Sequence, residues 1–253
     1  MSSDLGRVRV VGVIPARYAS TRLPAKALVQ LCGKPLIVRV LEQVRQASRL
    51  DEVLVATDDE RIAAAVRAAG GTVAMTRSDH PSGTDRVAEA VAGRLADVIV
   101  NVQGDEPLID PGLINRLADA MVRDPEWDMA TAATPIRDVS DLGKASVVKV
   151  VWDSRGRALY FSRAAIPFVR DEAPPGLRHW RHLGIYAYRR SFLDRLVAEP
   201  PCVLELAEKL EQLRALHLGA SIKVIETEDT GIGVDTPEDV PRVERALRAA
   251  GLA

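Results

Sequence analysis

Short, nearly uninterrupted apolar runs alternate with segments of helical period through the first half of the chain, and this alternation restricts the fold more than any other feature. Val8-Arg-Val-Val-Gly-Val-Ile14 opens the series. A strand that is apolar on both sides must be covered on both faces, as in a parallel sheet flanked by helices. Leu36, Val40, Leu41 and Val44 then fall on one helical stripe, Asp51–Thr57 reads as a second strand, and a helix from about Asp59 to Ala69 stops at Gly70-Gly71. Thr72–Thr76 reads as a short third strand. Ser82, with Asp85 three residues on, supplies an N-cap for a helix running through Leu95. Asp97–Val102 is the fourth strand, and it ends in the polar turn Gln103-Gly-Asp-Glu-Pro107. Strand, helix and strand at this spacing predict a doubly wound α/β fold, whose ligands lie where loops leave the carboxyl ends of the strands.

The second half mixes its patterns. Val147–Val151 and Ala158–Phe161 flank Asp153-Ser-Arg-Gly156, a hairpin signal that predicts an antiparallel addition. Asp171–Arg181 is rich in proline and charge and reads as a loop, Leu183–Tyr188 as a strand, Leu204 to about Leu216 as one helix, and Ser221–Thr227 as a last strand. Asp235-Thr-Pro-Glu238 offers a cap, an N1 proline and a first-turn acid for a closing helix.

Lys and Arg (34) nearly balance Asp and Glu (35), for a formal charge of -1. Without a global basic field, neither nucleic acid nor an anionic membrane is an expected partner, and any phosphate site must be built locally. No run approaches the roughly 20 apolar residues that span a bilayer. Met1 to Arg9 also lacks an apolar stretch of signal-peptide type, so the expected compartment is the cytoplasm. Cys32 and Cys202 lie far apart without a C-x-x-C partner, which argues against a disulfide framework or zinc knuckle; both read as reduced and mostly buried.

Two constellations carry candidate chemistry. The loop after the first strand, Pro15-Ala-Arg-Tyr-Ala-Ser-Thr-Arg-Leu-Pro-Ala-Lys26, concentrates Arg17, Arg22 and Lys26 with the hydroxyls of Ser20 and Thr21. Such a loop can offset polyphosphate charge and donate to its oxygens, or it can be a solvated basic turn. Gly33-Lys34-Pro35 does not complete a Walker frame, and no G-x-G-x-x-G follows a strand, so a P-loop kinase and a nicotinamide dehydrogenase are both disfavoured. Asp105 in the turn after the fourth strand and Asp235 before the last helix could share a hard cation such as magnesium, which takes few protein carboxylates and completes its shell with phosphate and water. Read singly, Asp105 is a turn former and Asp235 a helix cap. In the second half, Arg163, His182, Tyr186, Glu211 and Gln212 offer a cation and hydrogen-bonding groups suited to a polyhydroxylated acid. His179 and His182 form a lone H-x-x-H with no further zinc ligands.

Six segments in order then point to one family: Ile14–Pro24, Asn101–Pro107, Tyr160-Phe-Ser-Arg163, Arg181–Tyr186, Leu210-Glu-Gln-Leu-Arg214 and Gly233–Asp239. Over nearly its whole length the chain resembles the 3-deoxy-manno-octulosonate cytidylyltransferases, the CMP-KDO synthetases of lipopolysaccharide assembly. The resemblance implies a Rossmann-like nucleotidyltransferase fold with a mixed, mainly parallel sheet, helices on both faces and a smaller antiparallel lobe. It implies transfer of CMP from CTP to the anomeric hydroxyl of 3-deoxy-D-manno-octulosonate (KDO), one or two Mg2+ ions, and a homodimer. The expected layout is one domain over 1–253, with a nucleotide part at about 1–135 plus 220–253 and a sugar-binding and dimerisation lobe at about 136–219.

By the same resemblance, Pro15, Ala16, Arg17, Ser20, Arg22 and Lys26 look like the triphosphate loop, Asp79, Ser82 and Thr84 lie near the cytidine, and Gln103 belongs to the nucleotide contacts as well as to those of the sugar. Asp105 and Asp235 are similar to the metal ligands, and Arg17, Arg22 and Lys26 join them as the catalytic set. Gln103, Arg163, His182, Tyr186, Glu211 and Gln212 are similar to the sugar-acid contacts. The chain departs from the family pattern at Ala25, where a glycine is expected, at Ala27, where a proline is expected, and at Gly143-Lys-Ala-Ser146, where an Asn-Pro-Asn stretch is expected. The loop before Arg181 is also shorter than the family's. A methyl at Ala25 disfavours a positive φ there. Rival readings are a CMP-sugar synthetase for sialic acid or 8-amino-KDO, a uridylyl- or guanylyltransferase of the same fold, and a non-catalytic nucleotide-binding module.

Overall fold

The computed structural model describes residues 7–20 and 23–253. In chain order, β1 (Val10–Ala16) leads to a small ribbon of β2 (Gln30–Leu31) and β3 (Lys34–Pro35), then α1 (Leu36–Val44), β4 (Glu52–Thr57), α2 (Glu60–Ala68), β5 (Thr72–Met75), α3 (Gly83–Ala90) and β6 (Val98–Asn101). The second half adds α4 (Pro111–Arg123), β7 (Met129–Pro135), β8 (Lys149–Trp152), β9 (Ala158–Ser162) and β10 (Trp180–Arg189). It closes with α5 (Arg190–Ala198), α6 (Val203–Glu208), α7 (Gln212–His217), β11 (Ile222–Glu226) and α8 (Asp239–Ala249).

The main sheet runs β11-β7-β10-β6-β1-β4-β5, with β8 and β9 added beside β10. β1 pairs in parallel with β4 and β6, while β10 lies antiparallel between β6 and β7. Successive β1 side chains alternate between two cores: Val10 and Ile14 pack with α1 and α4 residues such as Leu41 and Leu113, and Val11 and Val13 with Val87 of α3 and Phe192 of α5. Each such fully buried aliphatic side chain contributes about 2 kcal/mol. That coverage of both faces is the physical reason the opening run is apolar throughout, and it holds rigid the carboxyl ends of β1 and β6, where the polar loops emerge. No helix among the described residues is long and apolar enough to cross a membrane.

Three expectations are corrected. The helix capped by Ser82 ends at Ala90 rather than Leu95, and the chain turns at Gly93 with φ 72°. The helix expected over Leu204–Leu216 is broken into α6 and α7, because Lys209 adopts a left-handed conformation (φ 53°). The carbonyls exposed at that break are taken by Arg163. The closing helix begins at Asp239, not just after Asp235, and its N-cap position is Glu238, without a side-chain cap; the Asp239 carboxylate instead accepts from the backbone N–H groups of Asp235 and Thr236, both at 2.9 Å, and fixes the turn that precedes the helix. The elements α4, β7 and α5 are additions to the sequence reading. β7, Met-Ala-Thr-Ala-Ala-Thr-Pro, carries little hydrophobic signal, yet it is buried between β10 and β11.

Candidate active site

At the carboxyl ends of β1 and β6 lies a cavity of about 320 Å3. One wall is the basic loop, through Pro15, Ala16, Arg17, Ser20 and Lys26; the facing wall is His80-Pro-Ser-Gly83, and the floor includes Gln103 and Asp105. Arg22 and Thr21 of the same loop lie outside the described residues. Gly104 allows the two walls to meet, since a Cβ there would stand 2.7 Å from the carbonyl oxygen of Pro15. The methyl of Ala25 does not prevent a positive φ: the residue is left-handed at φ 53°, ψ 33°, and it precedes a 3-10 turn over Lys26–Leu28 that aims the lysine at the cavity.

Asp105 and Asp235, 130 residues apart in sequence, converge here. The backbone N–H of Val234 donates to the carbonyl of Asp105 at 3.0 Å, which ties the Gly233–Asp235 segment to the Asp105 turn. The Lys26 ammonium then contacts both carboxylates, at 2.5 Å to Asp105 Oδ2 and 3.2 Å to Asp235 Oδ1. Beside them, burial pushes the Glu106 carboxyl up to about 8, with the nearby charges of Asp105 and Asp229 adding to the effect and Arg181 opposing it. A second cavity of about 500 Å3 opens on the far side of the pair and is lined by Asp235, Glu106, Arg181 and Arg242.

The three residues expected near the cytidine separate. Ser82 lines the cavity while its hydroxyl caps α3, accepting from the N–H groups of Thr84 and Asp85. Asp79 is exposed and paired with Arg77 at 2.9 Å. The Thr84 hydroxyl points away from the cavity and donates to the Glu211 carboxylate. Arg86 was not singled out from sequence: it lines the cavity at only 3 % exposure, bonded to the Thr76 hydroxyl and 3.6 Å from Asp58. Its signal, one arginine on a short capped helix, does not stand out among the chain's many arginines.

The residues expected to contact the sugar acid are engaged with protein groups. Gln103 donates from Nε2 to the Gly184 carbonyl at 2.9 Å, linking the cavity floor to β10. His182 Nε2 lies 2.9 Å from Thr131 Oγ1, whose hydroxyl is 2.8 Å from the Ile185 carbonyl; the threonine proton goes to that carbonyl, so the imidazole donates. Burial and the neighbouring Arg181 hold His182 down to about 3, which keeps it neutral. The Tyr186 hydroxyl donates to Gln212 Oε1 at 3.3 Å, and burial raises its phenol well above the usual range. Arg163 spends all three guanidinium nitrogens on the carbonyls of Glu208, Ala145 and Lys209.

A cationic loop at the carboxyl end of a parallel strand, lining a polar cavity with its lysine set on a carboxylate pair, fits the class of nucleotidyltransferases. The sequence profile of the cytidylyltransferase family matches residues 11–223. The 3-deoxy-manno-octulosonate cytidylyltransferase of Pelobacter propionicus is 49% identical over 251 residues, covering 96% of this chain and 98% of its own, and that of Geobacter sulfurreducens is 48% identical over 250 residues, covering 95% and 100%. A solved CMP:2-keto-3-deoxy-manno-octonic acid synthetase complexed with CTP matches with a TM-score of 0.91 at 45% identity, covering 96% of this chain and 100% of that one. A cytidylyltransferase from Leptospira borgpetersenii, at TM-score 0.66 and 17% identity, shares the fold. The chain belongs to the 3-deoxy-manno-octulosonate cytidylyltransferase family.

Proposed function

We propose that the protein transfers the cytidylyl group of CTP to the anomeric hydroxyl of KDO, releasing pyrophosphate, with magnesium held by Asp105 and Asp235. The observation that carries the reading is the convergence of these two carboxylates on one ammonium at the edge of the cavity. Two side chains that reach the same cation with hard oxygen donors fit magnesium, whose remaining positions phosphate and water can fill.

The chain's own groups supply positioning and charge. Arg17, Lys26 and the Ser20 hydroxyl line the cavity where a triphosphate would lie, and Arg22 belongs to the same loop. Charge compensation and in-line alignment are the main demands of attack at an α-phosphorus. Bound magnesium supplies Lewis acidity toward phosphate oxygens and lowers the pKa of a coordinated hydroxyl. His182, neutral and hydrogen-bonded to Thr131, serves in alignment rather than as a proton acceptor. Gln103 connects the two substrates' walls, and Tyr186, Glu211, Gln212 and Arg163 frame the acceptor side. Ser82 borders the nucleoside; Asp79 and Thr84 serve it through the loop and helix they belong to.

The chain is read as one cytoplasmic unit that works as a homodimer. The exposed apolar side chains Val203, Leu204 and Leu206 on α6 support the last point. Sedimentation of Leu206→Glu beside the wild type tests it, with a shift to monomer expected. The activity is tested by measuring pyrophosphate release with each of the four nucleotides and a panel of keto sugar acids. CTP with KDO is expected to dominate; faster turnover with UTP, or with sialic acid, would overturn the assignment.

A further inference from the structure

We propose that Lys26 makes the site selective for a magnesium–nucleotide complex over the free metal ion, by keeping its ammonium against Asp105 and Asp235 until a triphosphate draws it away. The inference rests on the assignment of those two carboxylates to magnesium.

The ammonium is held at 2.5 Å and 3.2 Å from the two carboxylates, with only 20 % of the lysine side chain exposed. A free divalent ion approaching that pair meets a positive charge already in place and must displace it to bridge the two oxygens that the ammonium contacts. Selectivity therefore comes from competition between two cations for one pair of anions. A triphosphate changes the balance. It brings several negative charges to the cavity wall shared by Lys26, Arg17 and Ser20, and gives the ammonium a richer set of acceptor oxygens.

The lysine stem can make the exchange alone. Its four-carbon chain is flexible, whereas its backbone is fixed by the Lys26 N–H to Leu23 carbonyl bond at 3.1 Å and by the Leu28 N–H to Ala25 carbonyl bond at 2.8 Å. With the ammonium moved to phosphate, the positive charge it held against Asp105 and Asp235 is gone, and a cation that arrives with the nucleotide can take its place. Metal and nucleotide then bind cooperatively, and by linkage each raises the other's affinity by the same factor.

Manganese(II) is the probe, titrated into the full-length protein and followed by the electron paramagnetic resonance signal of the free ion. Without nucleotide, Lys26→Met is expected to bind manganese about tenfold tighter than the wild type, within the range usual for coupled sites. Lys26→Arg, which keeps a cation, stays near the wild type. Adding Asp105→Asn to Lys26→Met removes the gain. Lys26→Gln repeats the measurement should the methionine variant fold poorly by circular dichroism. Equal manganese affinity in Lys26→Met, Lys26→Gln and the wild type overturns the proposal. Manganese–CTP binding to Asp105→Asn separates the two possible failures: weakened binding there leaves the carboxylate assignment standing, and unchanged binding removes that assignment as well.

Discussion

Arg17 and Ser20 line an open cavity, whereas Arg163, just after β9, bonds three carbonyls of its own chain. The same contrast runs through the other candidate residues. On the side proposed to take the nucleotide the charged groups gather around a space of ligand size; on the side proposed to take the acceptor His182 is matched to Thr131, Tyr186 to Gln212 and Glu211 to Thr84. Charges placed against open space add to recognition without adding much to stability. Polar groups bonded to one another tie neighbouring elements together, and a sugar acid must exchange with those partners or use their remaining lone pairs and hydrogens. The two regions should therefore answer differently to substitution.

The largest separation is expected at Asp105. Asp105→Asn should lower turnover about a thousandfold, the upper range for loss of one electrostatic stabiliser, while its thermal melt stays close to that of the wild type. Wild-type pyrophosphate release at saturating magnesium would break the comparison at its stronger end. Next comes Arg163→Met, which should cost about 2 kcal/mol of stability in urea unfolding, the scale of lost charged hydrogen bonds. Arg17→Met should cost less than about 0.5 kcal/mol, as at an ordinary surface site, and instead raise the KM for CTP. Equal losses of stability in the two variants would erase the distinction.

Acid and base act on the two regions with opposite signs. His182 titrates at about 3 in the folded protein against an ordinary 6.5, so the unfolded chain binds more protons between those values and stability falls as the pH drops through that window. Glu106 titrates at about 8 against an ordinary 4.5, so the folded chain binds more protons and stability falls as the pH rises from 4.5 toward 8. His182→Gln should flatten the acid limb of the stability profile and Glu106→Gln the alkaline limb; melts across this range, with either limb unchanged, would show the wrong group was chosen. The smallest effect is expected at Ala25→Gly. Relief of a left-handed alanine at φ 53°, partly offset by glycine's larger chain entropy, should add about 0.5 kcal/mol.

Much of this architecture is legible in the linear chain because β1, β4 and β6 are apolar on both faces and end in conspicuous polar loops. The basic loop and Asp105 stand out for the same reason: charge clustered at the carboxyl end of a buried strand has few structural uses. β7 escapes notice because an alanine and threonine strand is buried by its neighbours rather than by its own hydrophobicity. Arg86 escapes because only its burial and place in the cavity distinguish it.

The sequence by itself determined the alternation of strands and helices, the family, and the residue types available for phosphate and cation chemistry, since these depend on local pattern and composition. Only the tertiary structure decided which of those residues meet. Asp235 could have capped a helix, but the helix starts later, at Asp239, whose carboxylate holds the Asp235 and Thr236 N–H groups, and the Val234 to Asp105 backbone bond leaves Asp235 beside Lys26. Thr84 could have faced the nucleoside, but its hydroxyl reaches Glu211, beside the core that α3 and α7 share. Contacts between segments so distant in the chain are set by how the sheet and its covering helices pack, and no local signal carries that information.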